Sequence, residues 1–166
     1  MARNLLCLES KARSYHQIMN LDHYTYFTSN DFKDYEFYSE GPKGRIRKAI
    51  RFTKVNDQGY VFYNLGFGDI SEETDIIDDT IVSDNNDRDL VLATIAKTVI
   101  DFTNIHGNHY IFATGSTTVR TRLYQMSISG LWDEISIDFE VLGFKNGTWH
   151  PFEKNVNYEA FLVKRK

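Results

Sequence analysis

The feature that most constrains the fold is an alternation of apolar and basic residues that runs up to a short turn. Over residues 45–55, Ile46, Ile50 and Phe52 alternate with arginines. Successive side chains of a β-strand point to opposite faces, so this pattern predicts a strand with one buried and one exposed face. Residues 56–59 form a turn sequence, after which the chain pairs back as a second strand. The chain is therefore expected to contain antiparallel sheet.

Further short strands are predicted before this hairpin, and an acidic connection follows it. Tyr24 and Tyr26, and then residues 32–37, indicate two strands around the turn at residues 29–31. The stretch 69–89 carries nine acidic residues and a single arginine. Such a charged stretch is predicted to be irregular and exposed to solvent.

The second half of the chain is predicted to alternate helices with strands. Apolar residues at helical spacing indicate a helix that begins near Asn86 or Asp87 and ends at Gly107. A shorter helix is predicted up to Gly130, after a cap at Ser116 or Thr117. Strands are expected at residues 109–114, 135–141 and 160–163, with a loop or an edge strand at 149–152.

These elements predict an α+β fold in the order β-β-β-β-α-β-α-β-β, with a mostly antiparallel mixed sheet and two main helices. A chain of 166 residues suits one hydrophobic core, so residues 19–166 are predicted to form a single domain. Residues 1–18 are either a leader before a natural start at Met19 or an N-terminal helix with Leu5 and Leu8 on one face.

Composition and charge exclude several classes of protein. Apolar residues make up 42% of the chain and charged residues 25%, which argues against general disorder. The net charge is −4, whereas a dedicated duplex-DNA binder is strongly basic. A lone cysteine, Cys7, cannot form an internal disulfide, and the apolar run at residues 5–8 is too short for a signal peptide or a membrane span. We expect a cytoplasmic protein with no membrane attachment.

The passage from a strand into the second helix is the first candidate binding site. The strand stops at Gly115 and the helix starts through Ser116 and Thr117, which exposes backbone N–H groups that attract an anion. Arg120 and Arg122 add two positive charges nearby. In the alternative interpretation, Ser116 and Thr117 only cap the helix, and the arginines pair with acidic residues.

The two arginines of this helix are predicted to have different roles. Arg120 is the better anion ligand because a cation near a helix N-terminus is unfavourable unless an anion compensates it. Arg122 lies roughly 200° away around the helix, given about 100° per residue. We expect it to pair with an acid of the next strand, such as Asp138 or Glu140.

A second candidate site is the basic stretch at residues 41–55, which holds six basic residues and no acidic one. Lys43 and Arg45 lie near its start. Arginines on one strand face repel one another unless an anion or an acidic partner is present. Together with nearby tyrosines, this strand could bind single-stranded nucleic acid by charge and stacking. In the alternative interpretation, the acidic stretch 69–89 neutralises it.

No metal site is predicted, and no cofactor is identified. His106 and His109 lie on either side of a turn, but two ligands without a third do not define a zinc site. The carboxylates of residues 69–79 do not have the spacing of a calcium-binding loop. The chain also lacks the Gly-x-Ser-x-Gly motif of serine hydrolases.

Four sequence patterns together resemble a family of small, functionally uncharacterised bacterial proteins. The patterns are Ser39-Glu40-Gly41-Pro42-Lys43-Gly44, Asn64-Leu65-Gly66-Phe67-Gly68-Asp69, the stretch from Ala113-Thr114-Gly115-Ser116-Thr117 to Arg120-Thr121-Arg122-Leu123-Tyr124, and Tyr158-Glu159-Ala160-Phe161-Leu162-Val163. The resemblance covers residues 19–166. It implies a bacterial, cytoplasmic protein and supplies no activity.

The order of elements after the first strands is similar to the C-terminal half of the GCN5-related N-acetyltransferases. In that family a helix with an Arg-x-Leu-Tyr-like stretch follows such a strand, and its tyrosine often acts as a general acid. The resemblance therefore implies Tyr124 as a candidate catalytic residue. The family's glycine-rich loop for the acetyl-CoA pyrophosphate is absent, and the acidic stretch 69–89 stands in its place. The resemblance thus favours the fold more than the activity.

These observations favour a binding or regulatory module that recognises an anionic ligand or partner, such as one half of a toxin–antitoxin or defence pair. The alternative is a divergent acyltransferase-like or nucleotide-directed enzyme that uses Tyr124, Arg120 and Arg122. Whether the protein is an enzyme, and its oligomeric state, stay open at this point. A deep pocket that contains all three side chains would favour the enzyme.

Overall fold

The computed structural model describes residues 21–166. Residues 1–18, for which a leader or a helix is predicted, lie outside this range. The elements of the described range follow one another as β1 (Tyr26–Ser29), β2 (Asp34–Gly41), β3 (Gly44–Asp57), β4 (Tyr60–Ile70), β5 (Ile77–Asp78), α1 (Arg88–His106), β6 (Ile111–Ala113), α2 (Thr118–Gly130), α3 (Trp132–Asp138), β7 (Phe139–Lys145), β8 (Thr148–Pro151) and β9 (Ala160–Arg165). The predicted α+β class is confirmed.

The strands form one open sheet in the order β1-β2-β3-β4-β6-β9-β7-β8, and the short strand β5 pairs with β4. Strands β4 and β6 are parallel, and the other neighbouring pairs are antiparallel. Parallel neighbours need a long crossover, and α1 lies within that connection. The sheet is mixed and mostly antiparallel, as the sequence predicts.

The core lies between one face of the sheet and the helices. Phe52 of β3 stacks on Phe102 of α1 with ring centroids 4.2 Å apart, and Tyr63 of β4 meets the same ring edge-on at 4.7 Å. Ile128 of α2 and Ile135 of α3 belong to the same buried cluster. Aromatic pairs of this kind contribute about 0.5–1.5 kcal/mol beyond the burial of their area. Helix α1 is therefore fixed firmly on strands β3 and β4.

The predicted strand at residues 135–141 is wrong in its first half. Residues 132–138 form helix α3, and strand β7 starts only at Phe139. The apparent two-residue alternation misled because Ile137 is 56% exposed, while Trp132, Ile135 and Phe139 face the core at helical spacing. Acidic residues in the first turn of α3 also suit a helix N-terminus.

Candidate functional site

A cleft of about 200 Å³ opens where the start of α1 meets α2 and the connection between β5 and α1. Residues 79–87 of that connection, here called the cleft segment, form one wall. Polar side chains and apolar side chains of α1 face the same space. The polar residues of its inner part include Lys48, Asp69, Ser83, Arg120 and Tyr124. The acidic residues Asp84 and Asp87 lie at the rim with Arg88.

Asn85 fixes the cleft segment to the turn between β2 and β3. Its side-chain oxygen accepts a hydrogen bond from the backbone N–H of Lys43 at 2.9 Å, and its amide donates to Ser39 Oγ at 2.9 Å and to the Gly44 carbonyl at 3.0 Å. Asn85 is only 1% exposed. A Cβ atom at Gly41 would overlap the backbone oxygen of Asn85, so only glycine permits this close approach. The glycine-rich turn therefore has a packing role.

Helix α2 holds the other end of the cleft segment. The Ser116 hydroxyl donates to the carbonyl of Asp79 at 2.6 Å, and the Arg120 guanidinium donates to the carbonyl of Ile81. At the start of the segment, the hydroxyl and the backbone N–H of Thr80 donate to the Asp78 carboxylate. These hydrogen bonds lower the pKa of Asp78. Residues 79–87 have no regular secondary structure, as predicted, and these hydrogen bonds give them a defined conformation.

Lys48 and Asp69 form a buried ion pair at the inner end of the cleft. They are directly paired neighbours on β3 and β4, and the Lys48 Nζ atom lies 2.5 Å from Asp69 Oδ1. The same Nζ atom donates to Ser83 Oγ of the cleft segment at 2.7 Å. The ammonium also lies 5.6 Å from the centre of the Phe67 ring. The pair is neutral as a unit and ties the cleft segment to the sheet.

Arg120 supplies a buried positive charge in the cleft wall, where it is 5% exposed. Its guanidinium donates to the Phe67 carbonyl at 3.1 Å and to the Tyr124 hydroxyl at 3.4 Å, besides the Ile81 carbonyl. Within residues 21–166, its Nε atom has no hydrogen-bond partner, and the salt bridges formed there do not include it. Buried donors are rarely left unpaired.

The other residues predicted to bind an anion lie outside this cleft. The Thr117 hydroxyl accepts from the backbone N–H of Arg120 at 3.3 Å, and the backbone N–H of Gly115 donates to Thr121 Oγ1 at 3.0 Å. The Ser116 hydroxyl donates to the carbonyl of Asp79. Caps of this kind agree with the alternative interpretation of the helix start. Arg122 lies on an exposed surface, where it donates to Asn157 Oδ1 at 3.3 Å.

The basic strand meets acids mainly on its neighbour, β2. Arg51 pairs with Asp34 at 2.7 Å and Arg47 with Glu36 at 2.8 Å, and Asp75 of the acidic stretch adds a second partner to Arg47 at 2.6 Å. These carboxylates raise the pKa of Arg47. Since cross-strand acids already neutralise the arginines, this geometry gives little support to a nucleic-acid surface on β3.

Lys43 and Arg45 lie at the turn between β2 and β3. Arg45 is an exposed residue, and its guanidinium stacks 3.9 Å from the centre of the Tyr38 ring and lies 3.9 Å from Glu40.

The two histidines considered as metal ligands, His106 and His109, form hydrogen bonds with backbone carbonyls. His106 contacts the carbonyl of Asp31 at 2.6 Å, and His109 contacts that of His106 at 3.0 Å. In the described part of the chain, no group of three metal-ligating side chains is present.

Of the residues singled out from the sequence, Arg120 and Tyr124 line the cleft, whereas Arg122 does not. Sequence reasoning missed Lys48, Asp69 and Ser83. A signal was available for Lys48, because it has the same strand parity as Ile46 and Ile50 and so points to the core. A lysine at such a position needs a buried partner. The sequence does not indicate which carboxylate that partner is.

Three of the four patterns that carry the family resemblance meet around this cleft. Gly41 of the first pattern accommodates Asn85, Asp69 of the second holds Lys48, and Arg120 and Tyr124 of the third line the wall. Within residues 21–166, the helices are too short or too polar to cross a membrane. No curated protein and no solved structure matches the chain. Residues 20–166 match a family of unknown function, DUF6934, and the chain therefore belongs to that family.

Proposed function

We propose that the protein binds a small monoanionic ligand, with a carboxylate as the charged group, in the cleft between α1, α2 and the cleft segment. The observation that carries this proposal is the buried guanidinium of Arg120, whose Nε donor has no partner within residues 21–166. Nε itself is shielded from solvent, so a ligand oxygen that reaches it must displace a neighbouring group, and it would then remove the cost of an unpaired buried donor, which is about 1–3 kcal/mol.

The charges around the cleft favour a single negative charge. Lys48 is already neutralised by Asp69, and Arg120 is the cation of the inner cleft that forms no salt bridge within residues 21–166. The Tyr124 hydroxyl lies 3.4 Å from the guanidinium and can donate its proton to a second ligand oxygen. Asp84, Asp87 and Arg88 at the rim sum to one negative charge, which disfavours a dianion such as hydrogen phosphate more than a monoanion.

Arg120 also stabilises the fold, so its removal is a poor test of binding. Two of its nitrogen atoms donate to the backbone carbonyls of Ile81 and Phe67, and the side chain is buried. From the sequence alone, a cation near a helix N-terminus is unfavourable, so loss of Arg120 would not be expected to destabilise the protein. The geometry instead predicts that Arg120→Ala destabilises the protein with or without a ligand. A variant that keeps these contacts is needed.

Titration with acetate, followed by two-dimensional NMR of the amide and arginine N–H signals, tests the proposal. We expect saturable shifts of Arg120 Nε–H and of backbone amides in residues 81–87 and 120–124. Tyr124→Phe keeps the ring and removes the hydroxyl, so acetate affinity should fall about fivefold to tenfold, the equivalent of one ordinary hydrogen bond of about 1 kcal/mol. Arg122→Ala is the control, and its affinity should be unchanged.

Two results would contradict this assignment. Shifts confined to Gly115, Ser116 and Thr117, or to Lys43 and Arg45, would place the anion at the sites predicted from the sequence. Shifts that grow linearly with acetate and never saturate would indicate that no anion site exists. Inorganic phosphate, titrated in parallel, should produce weaker shifts than acetate at the same concentration, because the acidic rim disfavours the dianion.

A second candidate function, acyl transfer, is supported by the position of Tyr124 in the cleft wall beside Arg120. The cleft does not include Arg122, and at its rim Asp84 and Asp87 outweigh the single cation Arg88, whereas a cofactor pyrophosphate would need an excess of cations. We therefore expect acetyl-CoA to bind only weakly. Isothermal titration calorimetry checks this, and a dissociation constant in the low micromolar range would favour the enzyme over the binding protein.

A further inference from the structure

We infer that the ligand is an amphiphile: a monocarboxylate with an unbranched apolar tail that enters a second cavity beneath the cleft. This inference rests on the proposed function, because the carboxylate is the group assigned to Arg120 and Tyr124. It adds the class of the ligand and the place of its tail. The tail assignment comes from the cavity alone and can therefore fail independently.

The second cavity lies between the sheet and the helices and has a volume of about 80 Å³. Among residues 21–166, the side chains that line it are apolar apart from Tyr124, which carries a hydroxyl group. Leu65, Ile111 and Val141 come from the sheet, and Ala96 and Ile128 come from α1 and α2. Water needs two to four polar partners to occupy a cavity, whereas dry apolar cavities bind apolar molecules. This space therefore suits a hydrocarbon group.

The cleft and the inner cavity are neighbours that share part of their walls. Phe67, Leu92, Ile95 and Tyr124 line both spaces. Tyr124 is suited to this boundary because its hydroxyl contacts Arg120 while its ring borders the apolar cavity. A carboxylate held at Arg120 would thus have its first methylene groups beside the Tyr124 ring. The two spaces together provide a charged head site and an apolar tail site.

A series of acetate, butyrate, hexanoate and octanoate, each kept below its micelle concentration, tests the tail assignment. We expect the dissociation constant to fall by roughly threefold to fourfold for each added methylene, as for burial of a methylene group. The gain should stop once the inner cavity is full. Octan-1-ol should bind more weakly than octanoate, because it lacks the charge that Arg120 matches.

Ala113→Leu tests the location, because Ala113 lines the inner cavity and not the cleft. The larger side chain should fill the tail site, so octanoate should bind no better than acetate, while acetate affinity stays at the wild-type value. Ile128→Phe is a second variant for the same purpose, should the first disturb folding as judged by circular dichroism. Val119→Leu, at a position that is 62% exposed, is the control and should behave as wild type.

The possible outcomes separate the two proposals. If acetate binds at Arg120 but affinity is independent of chain length, or if both cavity variants keep the chain-length dependence, the tail inference is wrong and the anion proposal stands. If octan-1-ol binds as well as octanoate and acetate does not bind, the tail site is supported and the anion proposal is wrong. If no member of the series binds, both are wrong.

Discussion

Lys48→Met is expected to lower the free energy of unfolding by about 3–5 kcal/mol, as for other buried ion pairs that lose one partner. The substitution keeps the length of the side chain but leaves the Asp69 carboxylate without its ammonium. Asp69 is 8% exposed and Lys48 4%, so water cannot replace the lost partner. Chemical denaturation at neutral pH measures the effect. Acetate should also bind less well, because Lys48 no longer holds Ser83 of the cleft segment.

The double variant Lys48→Met/Asp69→Leu distinguishes loss of the pair from loss of one charge. Apolar residues in place of a buried pair are often neutral or stabilising, so the double variant should recover most of the lost stability. Lys154→Met is the matched control, because Lys154 lies 3.8 Å from an exposed Asp133. An exposed pair contributes about 0–1 kcal/mol. Equal losses for Lys48→Met and Lys154→Met would show that water reaches the inner pair.

Gly41→Ala is expected to lower the free energy of unfolding by about 3 kcal/mol, the upper end for an added group in a packed site. The added Cβ would overlap the backbone oxygen of Asn85, and a backbone atom cannot move aside as a flexible side chain can. The cleft segment must then shift, so acetate binding should weaken as well. Thermal denaturation and the NMR titration measure the two effects separately.

Gly130→Ala provides the control for this substitution. A Cβ atom at Gly130 would meet only the far end of the Asp89 side chain, at 3.9 Å. Because alanine favours helix more than glycine, this variant should be as stable as wild type or more stable by up to about 1 kcal/mol. If Gly41→Ala behaves like Gly130→Ala, the cleft segment does not depend on its close contact with the β2–β3 turn.

Local patterns in the sequence were sufficient for most of the secondary structure. The β3–β4 hairpin depends on turn residues, the start of α2 on the Thr117 cap, and α1 on apolar spacing, all of which act between near neighbours in the chain. The prediction was wrong at residues 135–138, where the apolar pattern fits a strand and a helix equally well. There the packing of Trp132 and Ile135 against the core selects the helix.

The candidate site could be predicted only in part, because its residues come from distant parts of the chain. The sequence indicated the Arg120 and Tyr124 stretch because a strand, a glycine and a helix start are adjacent in the chain. The sequence analysis placed the anion site at the N-terminus of α2. In the structure, the Arg120 guanidinium lies instead in the wall of the cleft, where it contacts Ile81, 39 positions away in the chain. Lys48 was not predicted as a site residue, because it was grouped with the arginines of β3. Those arginines lie on the opposite, exposed face of the strand.

By itself, the sequence determined the α+β class, the antiparallel hairpin and the boundaries of α1 and α2, because these depend on interactions within a few residues. Only the tertiary structure decided which charged side chains are paired, such as Lys48 with Asp69, and that Arg120 forms no salt bridge within residues 21–166. Lys48 and Asp69 are 21 positions apart, and Asn85 contacts a turn more than 40 positions away. The free energy of a buried charge depends on the groups that surround it in space, and local sequence carries no record of those groups.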